Sequence, residues 1–316
     1  MFDIVEEQRI RPPASRHRFE GIAFSPDGSS LAVATSESNT LFLYRHANGR
    51  VAEEPFATIA GAGLDYPHDV TFSPAGDLMA VALRNRGITA YEKRGESFVS
   101  DPAFVIRGLR TRLNFSDGVA FVPPDGDALA ACNLESDSVS FYRMTSRQPL
   151  SFEISPSFEL KGAAIFRPDG LCFSECGRWL AVANHGKHTV AVFERDPGAQ
   201  LRYGPEPVAT LRRSFRYPHS VAFTPGSNHL LVTNAGANYF SFFEHDGSRW
   251  SRSPAVRRIV GPGHTFREVN ARDKMEGGPK GIATHGDNVA VCSPEQGIVI
   301  YKLRLRPRKG LWSFRQ

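Results

Sequence analysis

Six ionisable residues stand at one repeated place in this chain: Glu20, His68, Asp117, Asp169, His219 and Lys280. Each leads a recurring phrase. It reads Glu20-Gly-Ile-Ala-Phe-Ser-Pro-Asp-Gly, His68-Asp-Val-Thr-Phe-Ser-Pro-Ala-Gly and Asp117-Gly-Val-Ala-Phe-Val-Pro-Pro-Asp-Gly. It returns at Asp169-Gly-Leu-Cys-Phe-Ser, His219-Ser-Val-Ala-Phe-Thr-Pro and Lys280-Gly-Ile-Ala-Thr-His-Gly. The apolar places repeat while the leading place changes its chemistry, the pattern of a site built on a repeated scaffold. Three chemistries are open to these groups. Glu20, Asp117 and Asp169, with nearby amide oxygens, have the hard donors that bind Ca²⁺ or Mg²⁺, and such an ion polarises a carbonyl and acidifies a bound water. Alternatively His68 or His219 is a general base, with Glu20 and Asp169 beside it and Lys280 and Arg84 orienting an anionic substrate. In the third case the six residues are structural, satisfying backbone groups and holding water.

The elements that position them follow from the spacing. The anchor residues Phe24, Phe72, Phe121, Phe173, Phe223 and Thr284 are separated by 48, 49, 52, 50 and 61 residues. A period near 50 with strand-type alternation predicts an all-β, six-bladed β-propeller, one blade per repeat. The inner strands are expected at 20–25, 68–73, 117–122, 169–174, 219–224 and 280–285 of a single domain spanning 1–316. A second strand rich in small residues follows (Leu31-Ala-Val-Ala-Thr35 and its five equivalents), then a third ending in an aromatic: Tyr44, Tyr91, Tyr142, Phe193, Phe243 and Tyr301. Weaker outer strands are expected around 56–59, 104–106, 158–160, 208–211 and 256–260. The sixth repeat lacks one before its basic tail, 304–316. The stretch Asp3 to Ile10 is therefore predicted to cross over and complete the sixth blade, with Leu311-Trp-Ser-Phe314 as the competing segment.

In a propeller the residue ahead of each inner strand lies at one mouth of the central channel. The six leading residues are thus expected to form a ring in sequence order, with Glu20 facing Asp169, His68 facing His219 and Asp117 facing Lys280. Thr35, Arg84, Asn85, Asn133, Asn184, His185, Asn234 and Glu295 end the second strands or begin the loops after them, and are candidate ligand contacts with Lys280. His185 and His188 offer a metal pair or an exposed polar turn. The insertion at 261–279, between repeats five and six, should lie at the same rim as a lid, a partner contact or a plain surface excursion.

Composition narrows the classes. Charged residues make up 22% and hydrophobic ones 41%, so the chain can bury a sizeable core. No apolar run approaches the ~18–20 residues of a membrane span. The acidic start lacks the basic and apolar regions of a secretory leader, so a cytoplasmic protein without membrane attachment is expected. Cys132, Cys172, Cys176 and Cys292 are too few and scattered for a disulfide framework and read as buried thiols. The net charge of +5 is modest and indicates a solvated basic face, not a nucleic-acid site. There is no Gly-x-Ser-x-Gly elbow and no phosphate-binding glycine loop.

The stretch Tyr217-Pro-His-Ser-Val-Ala-Phe-Thr-Pro to Leu231-Val-Thr-Asn-Ala-Gly and on to Phe243 resembles the YVTN, or lactonase-like, propeller repeats, which include 6-phosphogluconolactonases. Tyr66-Pro-His-Asp and Asp169-Gly-Leu-Cys-Phe-Ser to Asn184 are further copies. Those lactonases have seven blades. The six-bladed gluconolactonase and senescence-marker family, which holds a divalent metal on Glu, Asn and Asp, resembles the chain at Phe19-Glu20-Gly21 and Pro168-Asp169-Gly170-Leu171. The resemblance puts the third metal position at His219 or Ser220, where histidine suits Zn²⁺ or Mn²⁺ better than Ca²⁺. It implies a hydrolase or ligand-binding propeller for a small polar, anionic molecule at the channel mouth; the rival expectation is a non-catalytic scaffold for a protein partner.

Overall fold

In the computed structural model, which describes residues 2–11, 18–61, 63–85, 87–260, 276–294 and 296–305, each repeat forms one antiparallel sheet. The inner strands are Phe19–Phe24, Pro67–Phe72, Ser116–Phe121, Pro168–Phe173, Pro218–Phe223 and Ile282–His285. Each packs against the inner strands of the blades before and after it, and the sixth packs against the first. The ring therefore closes as a six-bladed β-propeller. The second strands, from Ser30–Thr35 to Asn288–Ser293, and the third strands, from Thr40–Ala47 to Gly297–Leu305, continue each blade outward. The outer strands Ala57–Ala60, Phe104–Arg107, Phe158–Lys161, Ala209–Leu211 and Val256–Ile259 lie within a residue or two of expectation. Short strands at Arg50–Val51, Ser97–Phe98 and Leu150–Phe152 extend the third strands of blades 1 to 3.

The N-terminal strand Phe2–Ile10 pairs antiparallel with Gly297–Leu305, from Phe2 opposite Leu305 to Ile10 opposite Ile298. It is the outer strand of blade 6, so the two ends of the described chain close the ring. Gln8 reaches across to blade 1, donating to the Val51 carbonyl at 2.7 Å and accepting from the Val51 amide at 2.9 Å. Arg304 belongs to the last strand and not to a tail; residues 306–316, with the competing 311–314 segment, lie outside the described residues.

The core is divided among the six junctions between neighbouring blades. Small second-strand residues such as Ala32, Ala80, Ala130 and Ala181 are fully buried and let the blades approach. The recurrent third-strand aromatics Tyr44, Tyr91, Tyr142, Phe193, Phe243 and Tyr301 lie within strands that continue past them, and all six are buried at the blade junctions. Burying one such ring stabilises by roughly 1.5–3 kcal/mol. Where the sixth repeat has Thr284 in place of phenylalanine, its hydroxyl donates to the Phe223 carbonyl of blade 5 at 2.6 Å. All four cysteines are free. Cys132 and Cys292 are buried as expected, but Cys172 is half-buried and Cys176 is exposed, because Cys176 falls in the turn after the inner strand.

Candidate functional site

The leading residues leave the regular ladder. Pairing of inner with second strand breaks between Phe19 and Ile22, Pro67 and Asp69, Ser116 and Val119, Pro168 and Leu171, and Pro218 and Val221. A bulge turns its side chain away from the pleat, and here it aims Glu20, His68, Asp117, Asp169 and His219 at the axis. Glycine follows at the tightest places: a Cβ on Gly118 would stand 2.5 Å from the Asp169 carbonyl of the next blade. Just ahead of the bulges, Tyr66, Phe115, Arg167 and Tyr217 adopt left-handed conformations, with φ of 56°, 54°, 46° and 52°. Each costs about 1–3 kcal/mol. Three are fixed by the preceding blade, whose Asn39, Asp137 and His188 accept from the Tyr66, Arg167 and Tyr217 amides at 2.8, 2.7 and 3.0 Å.

All six leading residues are buried, none more than 3% exposed. His68 and His219 face each other, their ring centroids 4.9 Å apart. Glu20 and Asp169 lie on either side of this pair. Glu20 Oε2 is 3.3 Å from His219 Nε2 and 3.7 Å from His68 Nε2, and Asp169 Oδ1 is 3.8 Å from His219 Nε2. Asp117 and Lys280, expected to face each other, make no ion pair among the described residues; each has other partners. Arg84 holds Asp117 in a two-pronged fork at 2.8 and 3.0 Å, and Lys280 turns to Glu276 and to Glu20, 3.6 Å away.

Three residues unsingled by sequence complete the cluster. Arg18 Nε is 2.5 Å from Glu20 Oε1. Glu276, at the end of the 261–279 insertion, contacts Lys280, Arg18 and His185. Asp69 accepts from the Val70 and Val119 amides at 2.9 and 3.1 Å, tying blade 2 to blade 3. Asp69 stands in its phrase where four repeats have glycine, and Glu276 lies four residues before Lys280; these were the available signals. The remainder of the insertion, 261–275, and Glu295 lie outside the described residues.

The protonation of the cluster follows from its surroundings. Burial drives His68 below its ordinary value, outweighing Asp117 and Glu20 nearby. Its Nδ1 lies 3.0 Å from the Asp117 backbone carbonyl, which can only accept, so Nδ1 carries the proton and Nε2 presents a lone pair. His185 behaves oppositely. Burial opposes its charge, but Asp169 Oδ2 at 3.3 Å and Glu276 Oε1 at 3.2 Å raise it to about 9. Burial alone would raise Glu20, yet Lys280 and Arg18 hold it well below the carboxylate range. Asp169 and Glu276 are also held low, whereas burial pushes Asp69 up to about 7.

These charges decide the fit of a metal. The all-oxygen set Glu20, Asp117 and Asp169 does not fit a divalent cation, because Arg84 occupies both Asp117 oxygens and Lys280 and Arg18 already flank Glu20. The ligand atoms of Glu20, His68 and His219 lie within 4.8 Å of one another. Yet the carboxylates of Glu20, Asp117, Asp169 and Glu276 are already matched by Arg18, Arg84, Lys280 and the His185 imidazolium. A divalent ion would add two uncompensated charges to a buried site, which costs several kcal/mol.

The strand-ending amides serve another purpose. Asn133, Asn184 and Asn234 accept through Oδ1 from the Asn114, Phe166 and Arg216 amides, at 3.2, 2.9 and 3.0 Å, each in the loop leading to its own inner strand. Their Nδ2 groups are used as well, on Ser140, Ala164 and Tyr239 among others. Thr35 donates to the Thr40 carbonyl, and Asn85 points outward to Asp65 at 2.7 Å. Of the expected ligand contacts, Arg84, His185 and Lys280 join the cluster. Among the described residues, no helix is long and apolar enough to cross a membrane.

No family model matches the sequence, and no curated protein does. Solved structures do. The β-propeller domain of Cps50 (Swd1) from Myceliophteria thermophila is 14% identical, with a TM-score of 0.58 over 93% of this chain and 86% of that one. A protein of unknown function from Desulfotomaculum acetoxidans is also 14% identical, with a TM-score of 0.61 over 95% of both chains. At such identity the likeness is one of fold: the chain shares the propeller architecture with both.

Proposed function

We propose that the protein is a metal-independent hydrolase of the lactonase-like kind, acting on a small polar ester or lactone at the channel-end cluster. The observation that carries this reading is the facing of two acceptors. The His68 Nε2 lone pair and Glu20 Oε2 stand 3.7 Å apart, with His219 Nε2 3.3 Å from the same Glu20 oxygen, and His68 Nε2 and Asp169 Oδ1 lack a hydrogen-bond partner among the described residues. What satisfies two buried acceptors this close is a donor that bridges both from one side, a water or a ligand hydroxyl.

His68 then takes a proton from the water as its oxygen attacks the carbonyl carbon, while the Asp117 backbone keeps the ring oriented. Lys280 supplies the positive field for the oxyanion. The carbon–oxygen bond to the leaving group breaks, and the alkoxide takes a proton from the His185 imidazolium. Glu20 and Asp169 stabilise the imidazolium that forms on His68. Substrate reaches these groups past His185, Glu276 and Arg84, the members with side-chain exposures of 15%, 16% and 20%.

The test is turnover of a panel of lactones and aryl esters, with and without carboxylate substituents, in the presence and absence of EDTA. Turnover that survives EDTA and is lost in His68→Asn is expected. Absence of both turnover and any ligand-induced thermal shift across the panel would overturn the proposal, and turnover abolished by EDTA would overturn its metal-independence.

A further inference from the structure

A second feature lies away from the cluster, in the loop leading to the inner strand of blade 3. Leu109 opens a single 3₁₀ turn, Leu109–Thr111, and is 93% exposed, far beyond the next large apolar side chain among the described residues, Val208 at 54%. The turn is not loose. The Thr111 hydroxyl donates to the Gly108 carbonyl at 2.7 Å, and the buried Tyr142 hydroxyl donates to the Thr111 carbonyl at 2.5 Å from beneath. The fold thus holds a leucine in water on a fixed base, at a cost in hydration that packing does not recover.

Two cavities, of about 560 and 520 Å³, lie beside this turn and share Leu109, Arg112 and Glu159 in their walls. Their charge is one-sided. Glu159 is taken by Arg112 at 2.5 Å and Lys161 at 3.3 Å. Arg107 and Arg110 are exposed and have no carboxylate partner among the described residues. An exposed apolar knob flanked by exposed cations and by two adjoining recesses matches an extended chain with acidic and apolar side chains. The acids would meet Arg107 and Arg110, and the apolar groups would pack on Leu109 and fill the recesses. The aromatic ring in these walls, Phe158, packs on Phe141 at 5.3 Å and offers no platform for a nucleic-acid base.

We propose that the Leu109 turn is a docking site for an acidic, leucine-containing peptide segment of a protein partner. The probe is a short fluorescein-labelled peptide of glutamate and leucine, measured by anisotropy against the full chain. Saturable binding is expected, weakened about tenfold or more by Leu109→Ser and by Arg110→Glu, and weakened by added salt. A peptide with lysine for glutamate should not bind the native chain but should bind the Arg107→Glu/Arg110→Glu variant. These surface changes should leave the melting temperature and lactone turnover unaltered, which separates this site from the channel-end cluster. No binding, binding indifferent to both single variants, or equal competition by a single-stranded oligonucleotide in native protein and Leu109→Ser would overturn the proposal, the last marking a plain polyanion surface.

Discussion

His68 donates its Nδ1 proton to the backbone carbonyl of Asp117, 3.0 Å away in the next blade, and so turns an unprotonated Nε2 toward Glu20. The carbonyl is placed by the Asp117 bulge, and the Asp117 side chain is fixed separately by Arg84. One leading residue thus sets the tautomer of the one before it. A general base needs this arrangement: a lone pair at a fixed point, and a pKa that leaves it free at neutral pH.

The pH dependence of turnover follows. His68 must be neutral, and burial holds it below its ordinary value of 6.5. The acid limb of kcat/KM should therefore lie below pH 6.5. His185 must be protonated and loses its proton at about 9, which sets the alkaline limb there. His68→Asn keeps a donor for the Asp117 carbonyl but removes the base, so a loss of roughly 10²–10⁴ is expected. His185→Gln should retain the acid limb and lose the alkaline one. An alkaline limb unchanged in His185→Gln would remove His185 from the mechanism.

The same imidazolium contributes to stability. Its folded value of about 9 exceeds its unfolded value, ordinarily 6.5. The contribution is fully present below pH 6.5 and disappears as pH rises through about 9. It amounts to about 3 kcal/mol for a shift of this size. Denaturant unfolding of the native chain should lose that much more stability than His185→Gln between pH 6 and pH 10. Parallel curves for the two proteins would show that Asp169 and Glu276 do not stabilise the charge.

Lys280 is wholly buried between Glu20 and Glu276. Lys280→Met removes one of the two cations that Glu20 and Glu276 share, leaving Arg18 alone between them, and should cost about 3–5 kcal/mol. Adding Glu276→Gln removes one of the stranded charges, so the double variant should be more stable than the two single effects predict. Strict additivity in urea unfolding would mean that the two groups are not energetically paired.

The period of 50, the small second-strand residues and the third-strand aromatics are enough to read the propeller, because each repeat must bury the same faces against its neighbours. The convergence of the leading residues is legible for the same reason. Their partners are not. Asn133, Asn184 and Asn234 end strands aimed at the channel, as a site residue would, but the unpaired amides of the adjoining loops claim them. Arg18 and Glu276 enter only because ring closure brings blade 1 beside blade 6 and the end of the long insertion. Such pairings depend on distances around the ring, which no pattern within one repeat records.

Ring closure itself rests on the N-terminal strand. Ile4 packs into the junction of blades 5 and 6, Ile10 into that of blades 6 and 1, and Gln8 clasps Val51. Deleting residues 1–10 removes two buried isoleucines, worth roughly 1.5–3 kcal/mol each, and bares the backbone of Gly297–Leu305 as an open edge. At about 2–4 °C per kcal/mol for a domain somewhat smaller than this one, the melting temperature should fall by roughly 6–24 °C. The bared edge should also make the truncated protein self-associate on size exclusion. Ile10→Ala, which leaves the edge covered, should lower the melting temperature without self-association. An unchanged melting temperature after the deletion would show that the other blades hold the ring without this strand.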